Sequence, residues 1–292
     1  MIAPACPTTL LRTTAIFAIA VSLSACNGGG SANSALSPTL VPPPAAAPPD
    51  PSPAPGATAS DGGTATIAGQ RIIAISAGHG GPHNTGAVHH DRAGRVDLVE
   101  KDLNLEIARR LDALLRAEGY ATVMLRDGDY SVSPEGGAET PEQIRAESQA
   151  RADIANQHHA DVLVVIHHNG SEDPLISGSE VYYNPERSFG DRSRRLATAI
   201  HDALLAKLRA LPYAVTDRGV KDDAPIGERY GQPHTYLFGE SAGFRATTMP
   251  AALGEALFVS NDTEAALLQR DDVEQAIAEA YRDGIEAYFD SR

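Results

Sequence analysis

The 292-residue chain contains no tryptophan and only two cysteines, Cys6 and Cys26. Beyond residue 26 it therefore has no disulfide to staple a fold and no thiolate to offer a metal. Basic side chains are scarce as well: 24 Lys and Arg stand against 38 Asp and Glu, a formal net charge of −14. That balance argues against nucleic acid as a partner, since phosphate binding needs a basic surface. Charge of either sign is nearly missing from residues 1–69, which hold Arg12, Asp50 and Asp61 alone. The apolar run Thr13–Leu23 is too short to supply the roughly 20 residues of a membrane-spanning helix. No internal repeat is evident.

What is present divides the chain into three parts. Arg12 followed by the apolar run reads as a targeting segment, and Leu23-Ser24-Ala25-Cys26 resembles the lipobox of bacterial lipoproteins. The resemblance implies a signal peptide over residues 1–25, cleavage before Cys26, and lipidation of that cysteine. Residues 26–69 then form a linker. Its Pro38–Pro55 stretch carries nine prolines in eighteen residues, which favours extended polyproline conformations reaching on the order of 55 Å. Residues 70–292 suffice for one domain with a sizeable core.

Within that domain, strand-like apolar runs alternate with amphipathic helical patterns. Arg71–Ser76, Ala121–Leu125, Val162–Ile166, Glu180–Tyr183 and Pro250–Glu255 read as strands, and the unbroken run Val162–Ile166 as a central one. Asp102–Ala117, Glu142–Gln157, Asp191–Arg209 and Asp271–Phe289 read as helices. The expected fold is a three-layer α/β domain with a mostly parallel mixed central sheet flanked by helices.

In open α/β sheets, ligands collect at the carboxyl ends of strands. His79 follows the first strand, His167 the central one, Glu255 ends a later one, and Glu100 precedes the first long helix. Two imidazoles and a carboxylate bind zinc and leave a place for water; a further carboxylate can move that water's protons. Each also has a plainer reading. Gly78-His79-Gly80 suits an ordinary turn, Glu100 an acid at a helix N-terminus, and Glu255 a strand-end acid paired with an arginine. His167 and His168 compete for one position, because successive strand side chains point to opposite faces. His89 and His90 are candidates for a cleft rim, and His158 and His159 for solvated surface.

The segments that carry these residues resemble the zinc-dependent N-acetylmuramoyl-L-alanine amidases. They are Ile72–Gly81, Glu100–Leu105, Ala160–Asn169 and Pro250–Glu255 with Phe258–Asn261, in the family's order. The resemblance implies that His79, Glu100 and His167 hold Zn2+, that His168 stands beside the site, and that Glu255 is the catalytic acid/base. It implies peptidoglycan as partner and the amide between N-acetylmuramic acid and L-alanine as the bond cleaved. Asn27, where an Asp would signal inner-membrane retention, implies a lipid anchor in the outer membrane with the domain facing the periplasm.

The chain departs from the family at several points. Ser76-Ala77 stands where Asp-Pro is usual, which leaves open what orients His79. The loop Pro82–Ala87 is one residue longer and lacks its acid. Two segments, 128–140 and 224–248, look extended; the second carries Arg229, Glu240 and Arg245 and is expected to shape substrate choice. The stretch Gly170–Gly190 is too short for the inhibitory helix that some members carry. Residue chemistry alone gives a metal-assisted amide hydrolase. A related zinc amidohydrolase or carboxypeptidase acting on another amide, and a non-catalytic envelope-binding module, remain as alternatives.

Overall fold

The computed structural model describes residues 69–137, 140–241 and 243–291. The expected signal peptide and almost all of the linker lie outside them. In chain order the elements are β1 (Ile72–Ala77), β2 (Val88–His90), β3 (Val96–Val99), α1 (Glu100–Ala117), β4 (Ala121–Met124), α2 (Pro141–Gln157) and β5 (Val162–Asn169). There follow β6 (Ser179–Tyr183), α3 (Gly190–Arg209), β7 (Asp217–Asp222), α4 (Ala224–Glu228), β8 (Ala251–Phe258), α5 (Asp262–Leu268) and α6 (Asp271–Asp290).

Six strands form the central sheet in the order β4-β1-β5-β8-β6-β7, and β2 pairs with β3 in a separate ribbon. From β4 to β8 every pairing is parallel; β6 runs antiparallel to β8 and parallel to β7. The sheet is thus mixed and mostly parallel, as expected. β5 is central because its apolar residues have both faces to cover: Val162, Leu163, Val164 and Ile166 are fully buried. One face packs on α1, α3 and α6 through Leu111, Ile200, Ile277 and their neighbours. The other is covered by α2 and the segment leading into β8, through Ala152, Ala155, Phe238, Phe244 and Met249. Removing one fully buried leucine here, such as Leu163, costs about 2–5 kcal/mol.

Local signals explain the helices. α1, α3 and α6 carry apolar residues at helical spacing, and their buried residues follow that stripe. α2 has the weaker stripe but a complete capping box: the Thr140 hydroxyl accepts from the Gln143 N–H, and the Gln143 side chain accepts from the Thr140 N–H.

Two strands run further than the apolar patterns indicate. β5 continues through His167, His168 and Asn169, and β8 through Glu255 to Phe258. The two extend each other: His167 pairs with Glu255 across the ladder, and a register shift separates that pair from Asn169 with Phe258. Both residues therefore sit within strands, not at their ends. The stretch Gly170–Gly190 holds β6 and no helix before the start of α3.

Candidate active site

β1 ends in a turn built around a strained histidine. His79 has φ +60, and Gly80 and Gly81 also have positive φ, a conformation costly for a residue with a Cβ. Gly78 is required for space: a Cβ there would lie 2.4 Å from the His167 ring. Two buried arginines hold the turn by its carbonyls. Arg126 donates to Ala77 O (3.0 Å) and Gly78 O (2.8 Å). Arg151 donates to Ala77 O (2.7 Å), His79 O (2.6 Å) and the Ser76 hydroxyl (2.8 Å), and is itself paired with Glu147 at 2.8 Å. Burial brings Arg126 down to about 10, still well above neutrality. The Ser76-Ala77 departure thus has a specific consequence: Ser76 feeds the Arg151 network beneath the turn.

The orientation of His79 falls to another residue. Its Nδ1 lies 2.6 Å from Asn84 Oδ1, an acceptor that calls for a proton on that nitrogen, and its Nε2 lies 3.1 Å from Glu100 Oε1. His167 Nδ1 lies 2.9 Å from the same oxygen. The two rings meet edge to face, 4.7 Å between centroids. Glu100, first residue of α1, is buried, and its Oε2 accepts the Ala87 N–H at 2.8 Å. Its Oε1 also accepts from Asn104 Nδ2 (3.1 Å) and the His168 N–H (3.2 Å). Burial works against the charged form of Glu100, but the two imidazoles outweigh it and hold the carboxyl well below its usual range.

The His79, Glu100 and His167 donor atoms all lie within 4.8 Å of one another. Two imidazole nitrogens and a carboxylate oxygen this close need a proton or a metal cation between them, and two imidazoles with one carboxylate are a donor set of catalytic zinc centres. The residues fit the metal. His168 takes the supporting place. Its ring is buried behind Glu100, with Nδ1 2.8 Å from Asn104 Oδ1, and burial lowers it to about 4, so it is neutral.

Glu255 differs from all of these. It borders the cavity, yet its Oε2 is buried and has no hydrogen-bond partner among the described residues. Burial first, then the nearby charges of Glu100 and Glu180, raise its pKa well above the usual carboxylate range, with Arg229 opposing. The strand-end acid paired with an arginine is not found: no ion pair to Glu255 exists among the described residues. Glu180, directly across the β6–β8 ladder, has the opposite surroundings. It binds Arg218 (2.8 Å), Lys221, Asn169 Nδ2 (2.5 Å) and the Tyr182 hydroxyl (2.9 Å), and these hold it ionised against burial.

His79, Glu100, His167, His168 and Glu255 line one cavity of about 600 Å³, closed on one side by Ile226, Arg229, Tyr230 and Thr235–Leu237. Of the other histidines, His83 also lines the cavity, and the rest stay apart or serve the scaffold. His89 binds Asp97 and Asp262, His90 is exposed, and neither lines the cavity. His158 and His159 are exposed, as expected. His234, with Asp222 and Asp223, forms a second tight cluster of potential donors. There Asp223 accepts from the Thr235 N–H and hydroxyl and lies 2.6 Å from His234 Nδ1, so the cluster fastens the segment after β7 to the sheet. Sequence reading missed Arg126, Arg151, Asn84 and Asn104. Only the last carries a signal, standing four residues after Glu100 and so on the same helical face.

Fold and site together describe a hydrolase with a candidate metal centre. The family model for N-acetylmuramoyl-L-alanine amidase, Amidase_3, matches residues 73–287, and the chain belongs to that family. It is 32% identical over 220 residues to protein YqiI of Bacillus subtilis, covering 75% of this chain and 85% of that one. It is 29% identical over 219 residues to the germination-specific N-acetylmuramoyl-L-alanine amidase of the same organism, covering 75% and 80%. The catalytic domain of CwlV, an N-acetylmuramoyl-L-alanine amidase from Bacillus (Paenibacillus) polymyxa var. colistinus, superposes with a TM-score of 0.56 at 28% identity, over 76% of this chain and 100% of that one.

Proposed function

We propose that the protein hydrolyses the amide between N-acetylmuramic acid and L-alanine in peptidoglycan, with zinc held by His79, Glu100 and His167 and with Glu255 as the acid–base group. One observation carries the chemistry: the unpartnered Glu255 carboxyl faces the same cavity as the converging His-Glu-His donors. Family membership supplies the bond.

When bound, zinc supplies Lewis acidity, which polarises a carbonyl and makes water acidic enough to attack near neutral pH. The protein's own residues do the rest. Glu255 takes the proton of the attacking water and returns it to the departing amide nitrogen, which must be protonated to leave. Its raised pKa suits it to hold that proton between the two transfers. Asn84 and Asn104 keep His79 and Glu100 aimed at the metal position. The intact donor set and the free carboxyl speak against a non-catalytic binding module.

The test is product analysis on purified peptidoglycan, with and without a chelator. The expected products are peptides with a free L-alanine amino terminus beside intact muramic acid. Chelation should abolish release, and added zinc should restore it. Activity in a pure, metal-free preparation would overturn the zinc assignment, and cleavage of a different amide would favour the carboxypeptidase-like alternative.

We also propose, on Leu23-Ser24-Ala25-Cys26 and Asn27 alone, a lipid anchor at Cys26 that holds the domain on the periplasmic face of the outer membrane. Several acyl chains bind a bilayer far better than one. Cys26→Ser should move the protein to the soluble fraction; a variant that still sediments with membranes removes the lipobox reading.

A further inference from the structure

Of the four charged residues in the extended segment 224–248, Glu228 is an acid at the end of α4, and Glu240 and Arg245 are already committed. Arg245 pairs with Asp153 at 2.6 Å and Glu240 with Arg187 at 3.3 Å. Arg229 is different. It follows the short helix α4, borders the cavity, and has no ion pair among the described residues. The cavity's other arginine, Arg151, is spent on Glu147 and the backbone of the His79 turn. Arg229 is close enough to the reacting groups for its charge to act on Glu255 and on Tyr182. An arginine on the cavity wall that is exposed to solvent, acts on Glu255 and has no ion pair of its own is arranged to receive a carboxylate from outside.

We infer that Arg229 is a specificity-determining residue that binds a free carboxylate of the peptide stem, on the second residue after the scissile amide. This deepens the amidase reading and rests on it. An extended chain advances at most about 3.6 Å per residue, so a carboxyl on the second residue comes within about 7 Å of the bond cleaved. That is the scale of a cavity which Arg229 and Glu255 both border. Guanidinium and carboxylate pair through two parallel N–H···O bonds, which fixes orientation as well as charge.

The experiment uses two synthetic N-acetylmuramoyl dipeptides that differ in one group. The carboxyl nearest the scissile bond is free in one and a carboxamide in the other. Parent, Arg229→Gln and Arg229→Lys are compared by kcat/KM on each, with melting temperature as the check on folding. The parent should prefer the free acid. A lost hydrogen bond to a charged group corresponds to roughly ten- to hundredfold, and Arg229→Gln should lose about that much of the acid-over-amide preference, mainly through KM. Arg229→Lys should keep part of it. If Arg229 acted only through its charge on Glu255, both substrates would lose alike and the preference would survive; that result, or a parent with no preference, overturns the inference. A parent that cleaves neither muramoyl amide overturns the amidase reading itself, and this inference with it.

Discussion

Glu100 and Glu255 are the same residue type facing one cavity, and the two halves of the domain treat them in opposite ways. On the β1–α1 side, Glu100 is buried among donors: two imidazoles, two backbone N–H groups and an asparagine amide. On the β8 side, Glu255 has a buried oxygen with no donor and two carboxylates for neighbours. One is kept ionised and suited to a cation; the other is kept ready to carry a proton. The difference lies in the surroundings that the sheet supplies, and it separates the proposed metal-binding role from the proposed proton-carrying one.

The sharpest way to break the comparison is Glu255→Gln. It preserves size and removes basicity, so turnover on muropeptides should fall by at least about 10²–10⁴-fold while zinc content stays at the parent's level. Full activity would remove Glu255 from the mechanism, and lost zinc would make it a ligand.

A smaller effect separates the adjacent histidines. His167→Ala deletes a proposed ligand, whereas His168→Ala deletes a ring that reaches Glu100 through Asn104 and keeps the backbone N–H that Glu100 accepts. Loss of such a support typically costs about 10–100-fold in metal affinity or activity. Zinc titration should therefore rank His167→Ala as clearly the worse binder, and the reverse order would reassign the site.

The smallest effect concerns stability without metal. A carboxyl raised in the folded state keeps a proton that the unfolded chain releases above about pH 4.3. Stability is therefore undiminished below that pH and declines as pH rises toward the folded value. Glu255→Gln has no such proton to lose. The metal-free variant should melt above the metal-free parent at about pH 7, with the gap closing toward pH 4; equal melting at both would show that Glu255 titrates normally. Glu100, lowered in the folded state, runs the other way: its contribution is present above the unfolded value and is lost as pH falls through the folded one.

How much of this was legible in the sequence follows from what each residue had to say locally. Val162–Ile166 announces a central strand because it buries both faces, and the stripes of α1, α3 and α6 announce their packing. β7, Asp-Arg-Gly-Val-Lys-Asp, does not read as a strand: it is a polar edge strand with a glycine, and its ladder partner is remote in sequence. The β2–β3 ribbon is too short and too exposed to show a pattern. His79, Glu100, His167 and Glu255 were legible as candidates because metal and proton chemistry accept few side-chain types. Arg126 and Arg151 were not. Buried arginines contradict the ordinary placement of charge, and their targets are backbone carbonyls, which no sequence displays.

The segment that carries Arg229 is fastened at two places. Asp223 grips His234 and Thr235, and α2 grips residues 243–248 through Arg145, Gln149 and Asn156. Such a wall surrenders its conformational freedom when the domain folds, not when substrate arrives. Peptide binding then needs no ordering of this wall, and no closure of it precedes catalysis. Association should proceed in a single kinetic phase, and the observed rate should climb in proportion to substrate concentration without levelling off at a gating limit.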